Sequence, residues 1–268
     1  MVEVFRHGPH HGEEPPVTGT NGSGTVFFSR CTLKCLYCQN YPWSQEGQGT
    51  LTDVDGLAEM LSELARVGCH NWNFVSPTPW LPWIYEAWER VTTAGTRLPV
   101  VYNTSGFEHR ETLRAVEGWV DVYLTDLRYA DAGSSQAGSD ASGYVETARA
   151  ALLEMWRQTG PLKMDAKGIA RRGTICRLLV LPGRADEAVA NLEWLAESVG
   201  TTIPVSVMSQ YTPAYRARDI VPWNRRPTAA EYGRVVETME RLGFTEGWVQ
   251  EYEAPSPENL VGFNMRPG

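Results

Sequence analysis

Short apolar runs rich in β-branched residues punctuate the chain at 25–29, 72–75, 99–103, 120–125, 174–181 and 203–209. Most are continuously apolar rather than alternating, which is the pattern of strands covered on both faces. Segments with helical spacing lie between and after them, at 54–67, 81–94, 108–116, 144–158, 185–199 and 228–242. In the first of these, Leu57, Met60, Leu61, Leu64 and Val67 form one stripe, and Thr52 and Asp53 offer N-cap oxygens just before it. Gly68, Gly95, Gly118, Gly160, Gly200 and Gly243 follow the helical stretches, where a left-handed residue commonly ends a helix. The order is therefore βα repeated six times, which predicts an α/β fold with a parallel sheet, either open and doubly wound or closed into a partial barrel. In both architectures a ligand sits at the carboxyl ends of the strands.

Two stretches fall outside this rhythm. Residues 133–143 (GSSQAGSDASG) are poor in apolar side chains and read as a flexible surface loop in the fourth βα connection, and 248–268 holds three prolines with no clear period and reads as coil with one short strand. The expected organisation is an N-terminal arm over 1–23, a core over 24–215 and a C-terminal helix and coil over 216–268 packed on that core as a single domain.

Charge narrows the function classes. With 24 Lys and Arg against 32 Asp and Glu the formal net charge is −8, which argues against a protein that holds nucleic acid by neutralising phosphates. No stretch approaches the roughly 18 apolar residues of a membrane span, so no membrane partner and a cytoplasmic location are expected. No Gly-rich phosphate loop follows any of the strand runs. The five cysteines are Cys31, Cys35, Cys38, Cys69 and Cys176, an odd count unlike a disulfide framework.

Three of them carry the chemistry. Cys31, Cys35 and Cys38 form C-x3-C-x2-C directly after the first strand run. Three thiolates in one short loop can ligate three corners of an iron–sulfur cubane and leave the fourth iron open to a chelating ligand. A structural zinc site would want a second ligand pair, and an electron-transfer ferredoxin a fourth nearby cysteine; neither is present. Cys69 and Cys176 fall at or within strand runs and read as small buried hydrophobes. His10, His11 and His70 read as solvated or core histidines.

The cysteine spacing, with Tyr37 before the last cysteine, resembles the radical S-adenosylmethionine (radical SAM) superfamily, and within it the branch of pyruvate formate-lyase activating enzymes. The approach Gly12-Glu13-Glu14-Pro15-Pro16 and the exit Gln39-Asn40-Tyr41 are similar to an uncharacterised activase-like subgroup. The resemblance implies a partial (β/α)6 barrel, one [4Fe–4S] cluster on Cys31, Cys35 and Cys38, and SAM bound through its amino and carboxylate groups to the open iron. Many members end the second strand in Gly-Gly-Glu, which receives the SAM amino group; here Val75-Ser76-Pro77-Thr78-Pro79 stands there, so Ser76, Thr78 or backbone carbonyls are expected to take that role. By the same resemblance Asn103 and Ser105 approach the methionyl and ribose groups, Asp126 and Arg128 match a Leu-Asp-Leu-Lys segment, Arg177 pairs with the SAM carboxylate, and Gln210 lies near the adenosine. A guanidinium suits a carboxylate because its fork binds both oxygens.

Singly, each of these polar residues has a structural alternative as turn former, helix cap or ion pair. Their recurrence at successive strand ends is where a barrel assembles a site. The expected activity is reductive cleavage of SAM to a 5′-deoxyadenosyl radical that takes hydrogen from a small molecule or peptide, with no side chain as primary acid or base and with a flavodoxin- or ferredoxin-type one-electron donor. The alternatives are an activase that places a glycyl radical on a partner enzyme and, lower, a non-catalytic iron–sulfur electron carrier or binding protein.

Overall fold

All six apolar runs are strands in the structure, a computed structural model that describes residues 1–252. The strands are β1 (Val2–His10), β2 (Ser23–Phe28), β3 (Thr50–Thr52), β4 (Trp72–Val75), β5 (Val100–Thr104), β6 (Val122–Asp126), β7 (Lys163–Met164), β8 (Ala170–Leu179), β9 (Val205–Met208) and β10 (Gly247–Val249). The helices are α1 (Pro15–Thr18), α2 (Tyr41–Ser44), α3 (Val54–Arg66), α4 (Leu81–Thr93), α5 (Arg110–Ala115), α6 (Ala132–Ser139), α7 (Tyr144–Thr159), α8 (Ala185–Ser198) and α9 (Ala229–Arg241). Among the described residues no helix is long and apolar enough to cross a membrane.

The strands form one sheet in the order β10-β9-β8-β6-β5-β4-β2-β1-β3, with β7 paired to β8. From β2 to β10 every neighbouring pair on this path is parallel, whereas β1 and β3 add on antiparallel at one edge. Helices α3, α4, α5, α7, α8 and α9 occupy the six segments with helical spacing. The result is an α/β partial barrel.

Alternation along the strands sorts the side chains. Val26, Phe28, Phe74, Tyr102 and Tyr123 point outward to meet Leu57, Leu61, Ile84 and Leu113 of the helices, and Leu178, Val205 and Val207 meet Leu192, Leu195 and Val235. The inward positions begin as an apolar floor of Val101, Val122, Leu124, Ala170 and Ile175. They end in polar residues toward the carboxyl ends of the strands.

Two features go beyond the sequence reading. The N-terminal residues expected as an arm carry a strand of the sheet: β1 pairs with β2 from Val4 to His10. The chain then turns under the sheet, and Val17 of α1 completes the apolar floor. Residues 133–143 are not an open loop, because 132–139 is the helix α6, capped by Asp131 whose side chain accepts from the Ser134 N–H at 2.7 Å. At the other end β10 is the expected short strand, added parallel to β9; the remainder of the coil expected over 248–268 lies, beyond residue 252, outside the described residues.

Candidate active site

The cysteine loop begins where Arg30, in the left-handed region at φ +71°, turns the chain out of β2. Helix α6 holds the loop by its backbone: the Lys34 N–H donates to the Ser139 carbonyl at 3.2 Å and the Leu36 N–H to the Gly138 carbonyl at 2.9 Å. Tyr37 wedges the loop from inside, its ring stacked 5.2 Å from Trp223 and its hydroxyl 2.8 Å from that of Tyr129. The same Tyr129 hydroxyl lies 2.7 Å from that of Ser139.

Each cysteine sulfur has a polar neighbour. Cys35, buried, accepts from Arg128 Nη1 at 3.1 Å and Ser139 Oγ at 3.0 Å; Cys38 lies 3.1 Å from Ser44 Oγ; Ser76 Oγ points to Cys31 at 3.9 Å. Among the described residues no three His, Cys, Asp or Glu side chains converge as ligands of a single ion would. Three thiols on one loop, each with a donor or hydroxyl at its sulfur, fit a cluster ligated at separate iron corners, because hydrogen bonds to the sulfurs stabilise and tune thiolate ligands. Burial pushes the Cys31 thiol up and that of Cys38 up to about 12, while the nearby Arg128 charge and the hydroxyls of Ser76 and Ser44 pull the other way.

Beside the loop, over the carboxyl ends of the strands, lies a cavity of about 340 Å³. A charged chain crosses its wall. Arg128 joins Cys35 to Asp126, donating from Nη2 to Asp126 Oδ2 at 2.6 Å. Arg177 takes the other Asp126 oxygen from Nε at 2.7 Å, the Asn103 side-chain oxygen from Nη2 at 2.7 Å and Glu13 Oε2 from Nη1 at 3.2 Å. Glu13 Oε1 in turn accepts from the amides of Asn73 at 3.0 Å and Asn103 at 3.1 Å. Burial pulls the Asp126 carboxyl upward, but Arg177 and Arg128 more than offset this and hold it below the usual range. Glu13 is raised, since burial outweighs its share of Arg177.

The structure brings together Tyr37, Cys38, Asn103, Asp126, Arg128, Arg177 and Gln210 on the cavity lining. Cys31 and Cys35 lie just behind it in the loop. Ser76, at φ +56°, turns from the end of β4 toward Cys31, its N–H donating to the Asn103 carbonyl at 2.9 Å. Thr78 is engaged elsewhere: its hydroxyl donates to Glu108 at 2.7 Å and lies 2.9 Å from that of Tyr102, on the helix-covered side of the sheet. The Ser105 hydroxyl is buried without a partner, and its carbonyl accepts from the Tyr144 hydroxyl at 2.8 Å. The Gln210 carbonyl accepts from Gln39 at 3.1 Å and its side-chain oxygen from Gln250 at 3.3 Å. Cys69 and Cys176 are buried at 3% and 0% exposure, as the sequence reading expects of core residues.

Four participants were not singled out from the sequence. Asn73 sits in an apolar run on the inward side, a polar break that signals a strand facing a site. Glu13 and Glu14 are paired acids ahead of Pro-Pro, and both enter the barrel interior with α1. Ser139 had no signal beyond its place in a polar segment.

The family model of the radical SAM superfamily matches residues 25–130, from β2 and the cysteine loop through β6. An uncharacterized protein of Methanocaldococcus jannaschii is 26% identical over 239 residues, covering 87% of this chain; the chain spans 65% of that relative's length. Among solved structures, HydG, a maturase of the [FeFe]-hydrogenase, aligns with a TM-score of 0.55 at 12% identity over 84% of this chain and 50% of its own. The anSMEcpe structure with bound AdoMet aligns with a TM-score of 0.53 at 10% identity over 80% of this chain and 57% of its own. A cysteine-to-alanine mutant of spore photoproduct lyase gives 0.53 at 11% over 83% and 74%. These likenesses show the fold, an α/β partial barrel with a mostly parallel sheet. The family match over the cysteine loop supports the radical SAM superfamily, and with it a [4Fe–4S] cluster and SAM as cofactors.

Proposed function

We propose that this chain is a radical SAM enzyme in which Cys31, Cys35 and Cys38 hold a [4Fe–4S] cluster and the cavity beside them holds SAM and a small-molecule or peptide substrate. The observation that carries the reading is the continuous path from Cys35 through Arg128 and Asp126 to Arg177, which ties the cysteine loop to the polar strand ends of one cavity. Cys31, Cys35 and Cys38 would hold the cluster, which when bound would supply the one-electron chemistry that cleaves SAM and allows hydrogen to be taken from a substrate.

The protein's own contribution is binding and orientation. Arg177 offers the guanidinium for a ligand carboxylate, with Asp126 and Asn103 fixing the plane of its fork. Arg128 and Ser139 set the hydrogen bonding, and so the tuning, at Cys35. Phe27, Leu179, Met208, Tyr211 and Trp248 line the cavity with apolar surface that keeps water from a reactive intermediate. Asn103, Ser105 and Gln210 are the further candidates for SAM contact, and Ser76 approaches through the Cys31 sulfur.

A metabolite or peptide substrate is favoured over a glycyl radical enzyme because no cysteine-bearing insertion separates Cys38 from Asp53 and the Gly-Gly-Glu segment is replaced at Ser76-Pro77-Thr78. An external one-electron donor of the flavodoxin or ferredoxin type completes the system, and a cytoplasmic location suits both. The test is anaerobic reconstitution with iron and sulfide, followed by dithionite and SAM. The expected result is about four irons per chain and release of 5′-deoxyadenosine. Cys35→Ala is expected to lose both; product from the wild type no greater than from this variant overturns the reading.

A further inference from the structure

The cavity holds one carboxylate more than its cations neutralise. Asp126 spends its two oxygens on Arg128 and Arg177, and Glu13 spends its own on Arg177, Asn73 and Asn103. Both guanidinium groups are thereby committed. Glu14 remains: it is 7% exposed, it lines the cavity, and among the described residues its Oε2 is buried without a hydrogen-bond partner.

Such a group calls for an explanation, since a buried carboxylate oxygen left unpaired costs several kcal/mol and buried polar atoms are rarely left so. Among the described residues no free cation stands at this carboxylate, and the hydroxyl of Ser206 is the side chain that bonds it while Oε2 stays unpartnered. Arg177 acts on Glu14 only at a distance while bonded to other partners. Glu14 is the N-cap residue of α1, so its backbone is fixed by the helix whose Val17 is sealed into the barrel floor.

Resting on the radical SAM reading above, we propose that Glu14 is the acceptor for the ammonium group of a cavity ligand, an anionic subsite delivered by the N-terminal segment rather than by the end of a strand. A primary ammonium brings the missing positive charge and up to three donors, and a charge-assisted hydrogen bond to a desolvated carboxylate is among the stronger ones available. Burial raises the Glu14 carboxyl above its ordinary range while it lacks this partner. The position also answers a vacancy in the sequence. No carboxylate follows β4, where Val75-Ser76-Pro77-Thr78 stands, and Thr78 is committed to Glu108 and Tyr102. The ammonium can come from the amino group of SAM or from an amine on the substrate.

Equilibrium binding to the anaerobically reconstituted protein separates these sources. SAM and its desamino analogue are compared on the wild type, Glu14→Gln and Glu14→Asp, and ethylammonium is titrated as a minimal amine with and without saturating SAM while Tm is followed. If SAM supplies the ammonium, the wild type prefers SAM over the desamino analogue by at least tenfold, Glu14→Gln removes the preference, and Glu14→Asp keeps part of it. If the substrate supplies it, the wild type binds both compounds alike, and ethylammonium raises the Tm of the wild type but not of Glu14→Gln. The subsite is refuted when Glu14→Gln matches the wild type in both arms. That result in a protein that still releases 5′-deoxyadenosine leaves the functional reading intact. A wild type that binds no SAM fails that reading instead, with the ethylammonium arm still deciding the subsite.

Discussion

Asp126 is the residue on which the site's electrostatics turn, because among the described residues it alone bonds both guanidinium groups. Its carboxyl is buried, yet Arg177 and Arg128 hold it below the ordinary 3.8. The folded-state value is thus depressed relative to the unfolded one, so the stabilisation is fully present above the unfolded pKa and is lost as pH falls through the folded value. Asp126→Asn keeps the shape but leaves two buried cations short of an anion, which costs about 3–5 kcal/mol for a broken buried pair. Urea unfolding of the ligand-free protein should show that loss at pH 7 and a narrowing gap to wild type as pH drops below about 4. An unchanged gap at low pH would show that Asp126 acts through packing rather than charge. Arg177, Asp126 and Asn103 were legible from the sequence because they stand at the ends of strand runs and because those segments resemble the strand ends of the radical SAM family. Glu13 and Glu14 were not: no local pattern reports that a segment ahead of the first parallel strand folds back under the sheet and into the barrel.

At the scale of elements, legibility followed the strength of the hydrophobic pattern. The stripe of Leu57, Leu61 and Leu64 announced α3, and helix and strand agree within a few residues at all six βα units. Helix α6 carries no such stripe, its residues being glycines, alanines and serines with one glutamine, yet it is helical and half of it is buried. Small side chains are what its position demands, since its last turn lies directly on the cysteine loop. A Cβ at Gly138 would overlap the Tyr129 hydroxyl and come within 2.8 Å of the Trp223 ring, both of which brace Tyr37. Gly138→Ala should therefore lose about 1–3 kcal/mol, as overpacked cores do, and retain less iron after reconstitution and desalting. Gly233→Ala is the matched control in α9, where an added methyl meets nothing within 4 Å and should be neutral or stabilising by about 0.5–1 kcal/mol. Equal iron retention in the two variants would mean that α6 does not support the cysteine loop.

At the scale of the whole molecule, the N-terminal segment joins the sheet to the site. β1 extends the sheet beyond β2, the chain then passes beneath the concave face, and Val17 fills the floor among Val101, Val122, Leu124 and Ile175 with no exposed surface. Asn71 fixes the crossing by donating to the Val17 carbonyl at 2.7 Å, and the Thr18 hydroxyl donates to the Glu13 carbonyl at 3.0 Å. Val17→Ala removes two buried methyl groups at roughly 0.8 kcal/mol each and leaves a small void, so a loss of about 2 kcal/mol follows. For a chain of this size that lowers Tm by about 4–8 °C. A surface appendage would respond differently, since substitutions there usually stay within about 0.5 kcal/mol. Because Glu13 and Glu14 ride on the same turn, the floor and the ligand are coupled, and Val17→Ala should also reduce the rise in Tm that saturating SAM gives the reconstituted protein. A full Tm loss with an undiminished SAM-induced rise would show that the segment stabilises the barrel without positioning its carboxylates.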